Sequence, residues 1–183
     1  MNVHKFDSKK LDRLNNPERL NLINTEEIIR ALNLNDESII VDIGVGTGIF
    51  SEHFLEKLPK AKGFGFDISK EMIKWIKENR EVAVNGRLNV SVMNESDIPL
   101  EEKVADLVFM ITVHHELEHP VELLKDIRRV LKDSGKLLIC DWKEGVNKHF
   151  VTKESIINDL KEARFNNIKE LNNSEKLVCI IAN

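Results

Sequence analysis

The densest chemistry in this sequence lies in Val41-Asp42-Ile43-Gly44-Val45-Gly46-Thr47-Gly48, a DxGxGxG that closes one apolar run and opens a helical pattern. Three of the chain's eight glycines fall between positions 44 and 48. Glycine lets the backbone turn sharply and approach a ligand closely, and a helix that starts there presents unpaired amides. The spacing separates the possible ligands. A dinucleotide fingerprint, GxGxxG/A, needs a small residue at position 49, where Ile49 stands, which counts against a nicotinamide cofactor. A P-loop needs Lys followed by Ser or Thr, and neither is present, so nucleotide hydrolysis of that type is excluded.

A second stretch, His115-Glu116-Leu117-Glu118-His119, is a literal HExxH, which on one helix face would hold zinc and activate water. Pro120 follows directly and pushes His119 out of helical angles, so the two imidazoles cannot stand on adjacent turns. A metalloprotease is not expected. A looser site built from His114, His115 and His119 is the remaining metal alternative, and the expectation is that no metal is bound.

These residues need elements to position them. Apolar runs at Ser38 to Ile43, Lys62 to Phe66, Leu88 to Met93, Ala105 to Thr112 and Lys136 to Asp141 alternate with helical patterns, which predicts a parallel sheet covered on both faces. Phe50, Phe54, Leu55 and Leu58 share one helical face, as do Met72, Trp75 and Ile76, and as do Leu124, Ile127, Val130 and Leu131. Ser69 is placed to cap one helix, Pro120 to begin another and Thr152 to begin a third, which carries Ile156, Ile157, Leu160 and Ala163. Asn166 to Leu171 and Lys176 to Ala182 are too closely linked to be parallel, so the sheet ends in an antiparallel hairpin. Short helical patterns at Pro17 to Ile23 and Thr25 to Leu32 predict a cap, residues 1–35, over a sheet core, residues 36–183, within one domain.

Composition narrows the function classes. The 183 residues carry 27 basic and 31 acidic side chains, a net charge of −4, which gives no global attraction to nucleic acid. No apolar run approaches the roughly 20 residues of a membrane span. The polar opening MNVHKFDSKK has no apolar signal core, so a cytoplasmic location is expected. Cys140 and Cys179 sit in apolar runs without metal or redox spacing and read as buried thiols.

Taken with Asp42 and the three glycines, further stretches make the chain similar to the class I S-adenosylmethionine-dependent methyltransferases. Phe64-Gly65-Phe66-Asp67-Ile68-Ser69 resembles their second motif, Met93-Asn94-Glu95-Ser96-Asp97-Ile98-Pro99 the GDAxxLP stretch, Ala105 to Met110 the fourth motif, and Leu131 to Lys136 the turn before the fifth strand. More narrowly, the His4-Lys5-Phe6-Asp7 opening, Asn16-Pro17-Glu18-Arg19, His115-Glu116-Leu117 and Asp141-Trp142-Lys143 resemble a small UbiE-like group. The resemblance implies a doubly wound, Rossmann-like α/β domain of seven strands in the order 3-2-1-4-5-7-6, the last strand antiparallel. It implies S-adenosylmethionine as cofactor and a small molecule as methyl acceptor. Gly44, Gly46 and Gly48 would cradle the methionine part beside Asp42, and Asp67, 23 positions after Gly44, would hold the ribose unless it only caps the helix at Ser69. Ile68 and Met72 would cover the adenine, Asn94 and Glu95 meet its edge, with Asp97 a competing side chain, and Met110 line the reactive end. His115 would act as a base or fix its loop with Glu116, while Asp141 and Trp142 would border the acceptor. His4 and Phe6 would close over the cofactor. The alternatives are a non-catalytic binder of the same ligand and, against Ile49, a nicotinamide-dependent oxidoreductase.

Overall fold

The computed structural model describes residues 8–183. The chain opens with helix α1 (Ser8–Leu14), a 3-10 helix at Pro17–Leu22 and helix α2 (Thr25–Ala31). The cap pattern therefore holds one helix more than its apolar spacing predicts. Asn16 and Asn24 start the last two by accepting the N–H of Glu18 and Glu27.

Seven strands follow, β1 (Ile39–Ile43), β2 (Lys62–Asp67), β3 (Leu88–Val92), β4 (Ala105–Ile111), β5 (Leu131–Trp142), β6 (Lys169–Glu170) and β7 (Leu177–Ala182). They form one sheet in the order β3-β2-β1-β4-β5-β7-β6. Strand β7 is antiparallel to both of its neighbours, and the pairs among β1 to β5 are parallel. Between strands lie α3 (Ile49–Lys57), α4 (Lys70–Asn79), α5 (Glu81–Val84), α6 (Pro120–Val130) and α7 (Lys153–Glu162). Ser69 and Thr152 cap α4 and α7 through their hydroxyls, and Pro120 occupies the first turn of α6.

A two-residue period along the central strands builds two cores. Leu107, Phe109 and Ile111 point toward Phe54, Leu55 and Ile76 of α3 and α4. Val108 and Met110 point the other way, toward Leu124, Ile127, Ile156 and Leu160 of α6 and α7. Strand β5 starts earlier than its apolar run, because Leu131 already pairs with Ala105 before a bulge lets Lys136 pair with Leu107. Asp106 anchors this lower end, accepting the Ile39 N–H and two contacts from Lys132 Nζ. Cys140 and Cys179 face each other across β5 and β7, both buried as free thiols. No helix among the described residues is long and apolar enough to cross a membrane.

Candidate active site

The carboxyl ends of β1, β2 and β4 open onto a cleft of about 310 Å³. One wall is the glycine turn. Gly44, Gly46 and Gly48 all have positive φ, at 72°, 54° and 72°, and the Gly44 and Val45 amides both donate to the Phe66 carbonyl, at 2.8 and 2.9 Å. Gly44, Val45, Gly46 and Thr47 line the cleft, whereas Gly48 caps α3 from behind, next to Ile76 and Arg80. Arg80 clamps the turn from outside. It donates to the Thr47 carbonyl at 2.7 Å, pairs with Glu52 at 2.6 Å and bonds the Asn15 side chain.

Two carboxylates sit at the strand ends. Asp42 is buried and accepts the Ser51 hydroxyl at 2.6 Å. Burial pushes its carboxyl up to about 8, with the Asp67 charge adding to the rise and Ser51 and Arg19 opposing it. Asp67 accepts the Gly46 N–H and the Ser69 N–H, each at 2.9 Å. It therefore ties the glycine turn to the cap of α4 while also lining the cleft. Ile68, two-thirds exposed, and Met72 line the same side, followed by Met93 and Glu95.

Several residues named from sequence stand elsewhere. Asn94 is exposed outside the cleft, in an isolated bridge with Asp97. Met110 does not line the reactive end: strand alternation turns it into the α6/α7 core, where it is fully buried. His4 and Phe6 lie outside the described residues.

The segment after β4 is where the expected catalytic group divides. Thr112, Val113, Glu116, Leu117, Glu118 and His119 line the cleft, but His115, Asp141 and Trp142 do not. His114–Glu116 is a single 3-10 turn and His119 is the N-cap of α6, so the HExxH spacing is never one helix. His115 turns toward β5, where its Nδ1 meets Asp141 Oδ1 at 2.7 Å and its backbone N–H donates to Asp141 Oδ2 at 3.0 Å. The fully buried Asp141 also accepts its neighbour Trp142's N–H at 2.7 Å. Its carboxylate is therefore occupied in bracing the loop. Glu116 Oε1 lies 3.8 Å from His115 Nε2, so the imidazole stands behind the one member of the group that faces the cleft. Trp142 packs on the core beside Leu177.

Sequence reasoning gave no role to Arg13, Arg19 or Thr112, all of which line the cleft. Arg19 donates to Thr112 Oγ1 at 3.1 Å. Thr112 has φ of 58°, a left-handed conformation that a β-branched residue rarely adopts. Asn16-Pro17-Glu18-Arg19 is the signal that could have drawn attention there, since Asn16 and Pro17 start the turn that carries the arginine.

A methyltransferase domain family matches residues 41–139. An uncharacterized protein of Methanocaldococcus jannaschii is 32% identical over 133 residues, 72% of this chain and 58% of that protein. The malonyl-[acyl-carrier protein] O-methyltransferase 2 of Ilyobacter polytropus is 30% identical over 117 residues, 64% of this chain and 43% of that protein. The chain thus spans about half the length of these curated relatives. The crystal structure of a SAM-dependent methyltransferase from Aquifex aeolicus superposes with a TM-score of 0.86 at 24% identity, covering 97% of this chain and 98% of that one.

Proposed function

Because the chain belongs to the methyltransferase-domain family, we propose that it transfers a methyl group from S-adenosylmethionine to a small-molecule acceptor. The observation that carries this reading is the cleft at the strand ends, where a positive-φ glycine turn faces an accepting carboxylate, Asp67, and an apolar shelf of Ile68 and Met72. These residues fit the donor: an open backbone for its amino-acid part, hydrogen-bond acceptors for ribose hydroxyls, and apolar surface for a purine. Met93 and Glu95 stand where the base edge would lie, with Asn94 contributing only as their backbone neighbour.

When bound, the donor supplies an electrophilic sulfonium methyl, so the chain must mainly align a nucleophile with it and keep water out. Thr112, Val113 and Glu116 to His119 form the wall left for the acceptor. Glu116 is the carboxylate placed to take a proton there, with His115 held behind it by Asp141. Similarity to an O-methyltransferase supports oxygen as the acceptor atom to test first.

A second reading, binding without transfer, is favoured by one observation. His115, Asp141 and Trp142 stand outside the cleft, leaving Glu116, Glu118 and His119 as the titratable groups of that wall. Calorimetry tests the shared premise: S-adenosylmethionine and S-adenosylhomocysteine should bind with micromolar dissociation constants and NAD not measurably. Tight NAD binding without either adenosyl ligand would overturn both readings.

A further inference from the structure

The cleft of about 310 Å³ lies near the lower bound for a pocket that holds one drug-sized ligand, and S-adenosylmethionine is itself such a ligand. A bound donor leaves space at the wall for the reacting end of an acceptor and little for the rest of it. The body of the acceptor then rests on the surface beside that wall.

The wall carries Glu116, and His115 stands behind it with its side chain only 9% exposed. The ring of His149 lies over that of His115, with centroids 6.4 Å apart and planes 21° from parallel. His149 belongs to the segment 143–152, which joins β5 to α7. Two of the five large apolar side chains exposed among the described residues sit on this same segment, Val146 at 46% and Phe150 at 37%. Of the others, Ile68 lines the cleft, while Val84 and Val92 lie with α5 and β3 at the far edge of the sheet. Apolar side chains scattered singly over a surface are ordinary, but grouped at the rim of a ligand cleft they mark a surface that something covers.

The segment is held in shape. Lys143 Nζ donates to the Ser174 and Glu175 carbonyls at 2.9 and 3.2 Å, and the Val146 N–H donates to the Lys143 carbonyl at 3.1 Å. The His149 N–H donates to the Asn147 side chain at 3.0 Å, and the Thr152 hydroxyl accepts the Ser155 N–H where α7 begins. These bonds fix the backbone that presents Val146 and Phe150 to solvent, so their exposure belongs to the fold.

We propose that Val146 and Phe150 bind an apolar body of the methyl acceptor, which lies along the segment 143–152 outside the cleft and passes its nucleophilic end over His149 to the Glu116 wall. That the bound molecule is a methyl acceptor rests on the reading above. Its class follows from the surface: a small molecule with a nucleophilic head and an extended apolar part.

The test uses methyl-labelled valine, with the Val146 resonances assigned through their loss in Val146→Ser. Para-ethylphenol, para-butylphenol and para-hexylphenol, which share a head and differ in apolar length, are titrated into the protein saturated with S-adenosylhomocysteine. The Val146 resonances should shift, and affinity should rise roughly two- to fourfold per methylene. Val146→Ser and Phe150→Ser should each flatten that rise, with S-adenosylhomocysteine affinity within about twofold of the parent, which also shows that both variants fold. Val146 resonances indifferent to all three phenols, or the same dependence on length in both variants, overturn the proposal. Sedimentation showing that the parent self-associates and that Phe150→Ser releases it also overturns the proposal and makes the segment an interface between copies of this chain. Failure of S-adenosylhomocysteine to bind refutes the methyltransferase reading instead, and the phenols titrated against the free protein then decide whether the segment holds an apolar body.

Discussion

Gly44→Ala tests how closely the two walls of the cleft are fitted. Gly44 has φ of 72°, and it is kept there because its N–H and that of Val45 share the Phe66 carbonyl. An added Cβ would stand 2.5 Å from Val113 Cγ2 and 2.9 Å from Cγ1, well inside contact distance. Two costs follow. A left-handed conformation costs a residue with a Cβ about 1 to 2 kcal/mol, and overpacking against a side chain that cannot move freely costs about 1 to 3 kcal/mol. The sum, about 2 to 5 kcal/mol, should lower the melting temperature by roughly 5 to 15 °C in a chain of this size. Val113→Ala removes both γ-methyls and with them the second cost only. A double-mutant cycle followed by urea unfolding should therefore give a favourable coupling of about 1 to 3 kcal/mol between the two substitutions, with the backbone cost remaining. Gly44→Ala as stable as the parent, or no recovery in the double variant, would refute the reasoning. S-adenosylhomocysteine affinity should fall in Gly44→Ala and return in part with Val113→Ala, because the clash displaces the wall that carries Thr112 and Glu116.

Asp67→Ala should weaken S-adenosylhomocysteine binding by about 1.5 to 3 kcal/mol in calorimetry and also lower stability, because the carboxylate accepts two backbone N–H groups. Lost stability with unchanged affinity would reduce Asp67 to a brace of the turn. Asp42, raised from 3.8 to about 8 by burial, contributes stability that is fully present below its unfolded value and is lost as pH rises through about 8. Asp42→Asn should therefore flatten the fall in unfolding free energy between about pH 4 and 9, by on the order of a few kcal/mol, and parallel profiles for parent and variant would count against this. His115→Ala should cost about 1.5 to 3 kcal/mol of stability, since the buried Asp141 loses its side-chain partner. Its S-adenosylhomocysteine affinity should stay within about threefold, and a larger loss would bring His115 back to the cleft.

The strands and helix starts were legible because their determinants are local, whereas the strand order came from the family resemblance. Alternating apolar residues in β4 and β5 assign the two cores, and Ser69, Pro120 and Thr152 mark helix starts through groups within three residues of themselves. The last hairpin shows the limit of that reading. Asn166 to Leu171 reads as one strand, yet the ladder runs only through Lys169–Glu170, because Asn167 takes φ of 48° and separates it from Asn166, which pairs with Asn183. An apolar pattern carries no information about a single left-handed asparagine.

The site divides along the same line. The cleft positions of Asp42, Gly44, Gly46, Asp67 and Ile68 follow from sequence because each lies at the carboxyl end of β1 or β2 or in the turn after it, with Met72 in the first turn of the helix that comes next, whereas Gly48 lies behind the cleft. Met110 is a miss of another kind: the resemblance puts it at the reactive end, whereas the period that puts Phe109 and Ile111 on one face turns it into the opposite core. The orientation of His115 does not follow, because it depends on Asp141, 26 positions away on a neighbouring strand. Arg19 is less accessible still. Its partner Thr112 is 93 positions distant and meets it only by adopting a conformation that its own side chain disfavours. Positions of that kind, where a long-range contact overrides local preference, are invisible to a motif, and in this cleft they lie in the cap and the segment after β4, beyond the glycine turn.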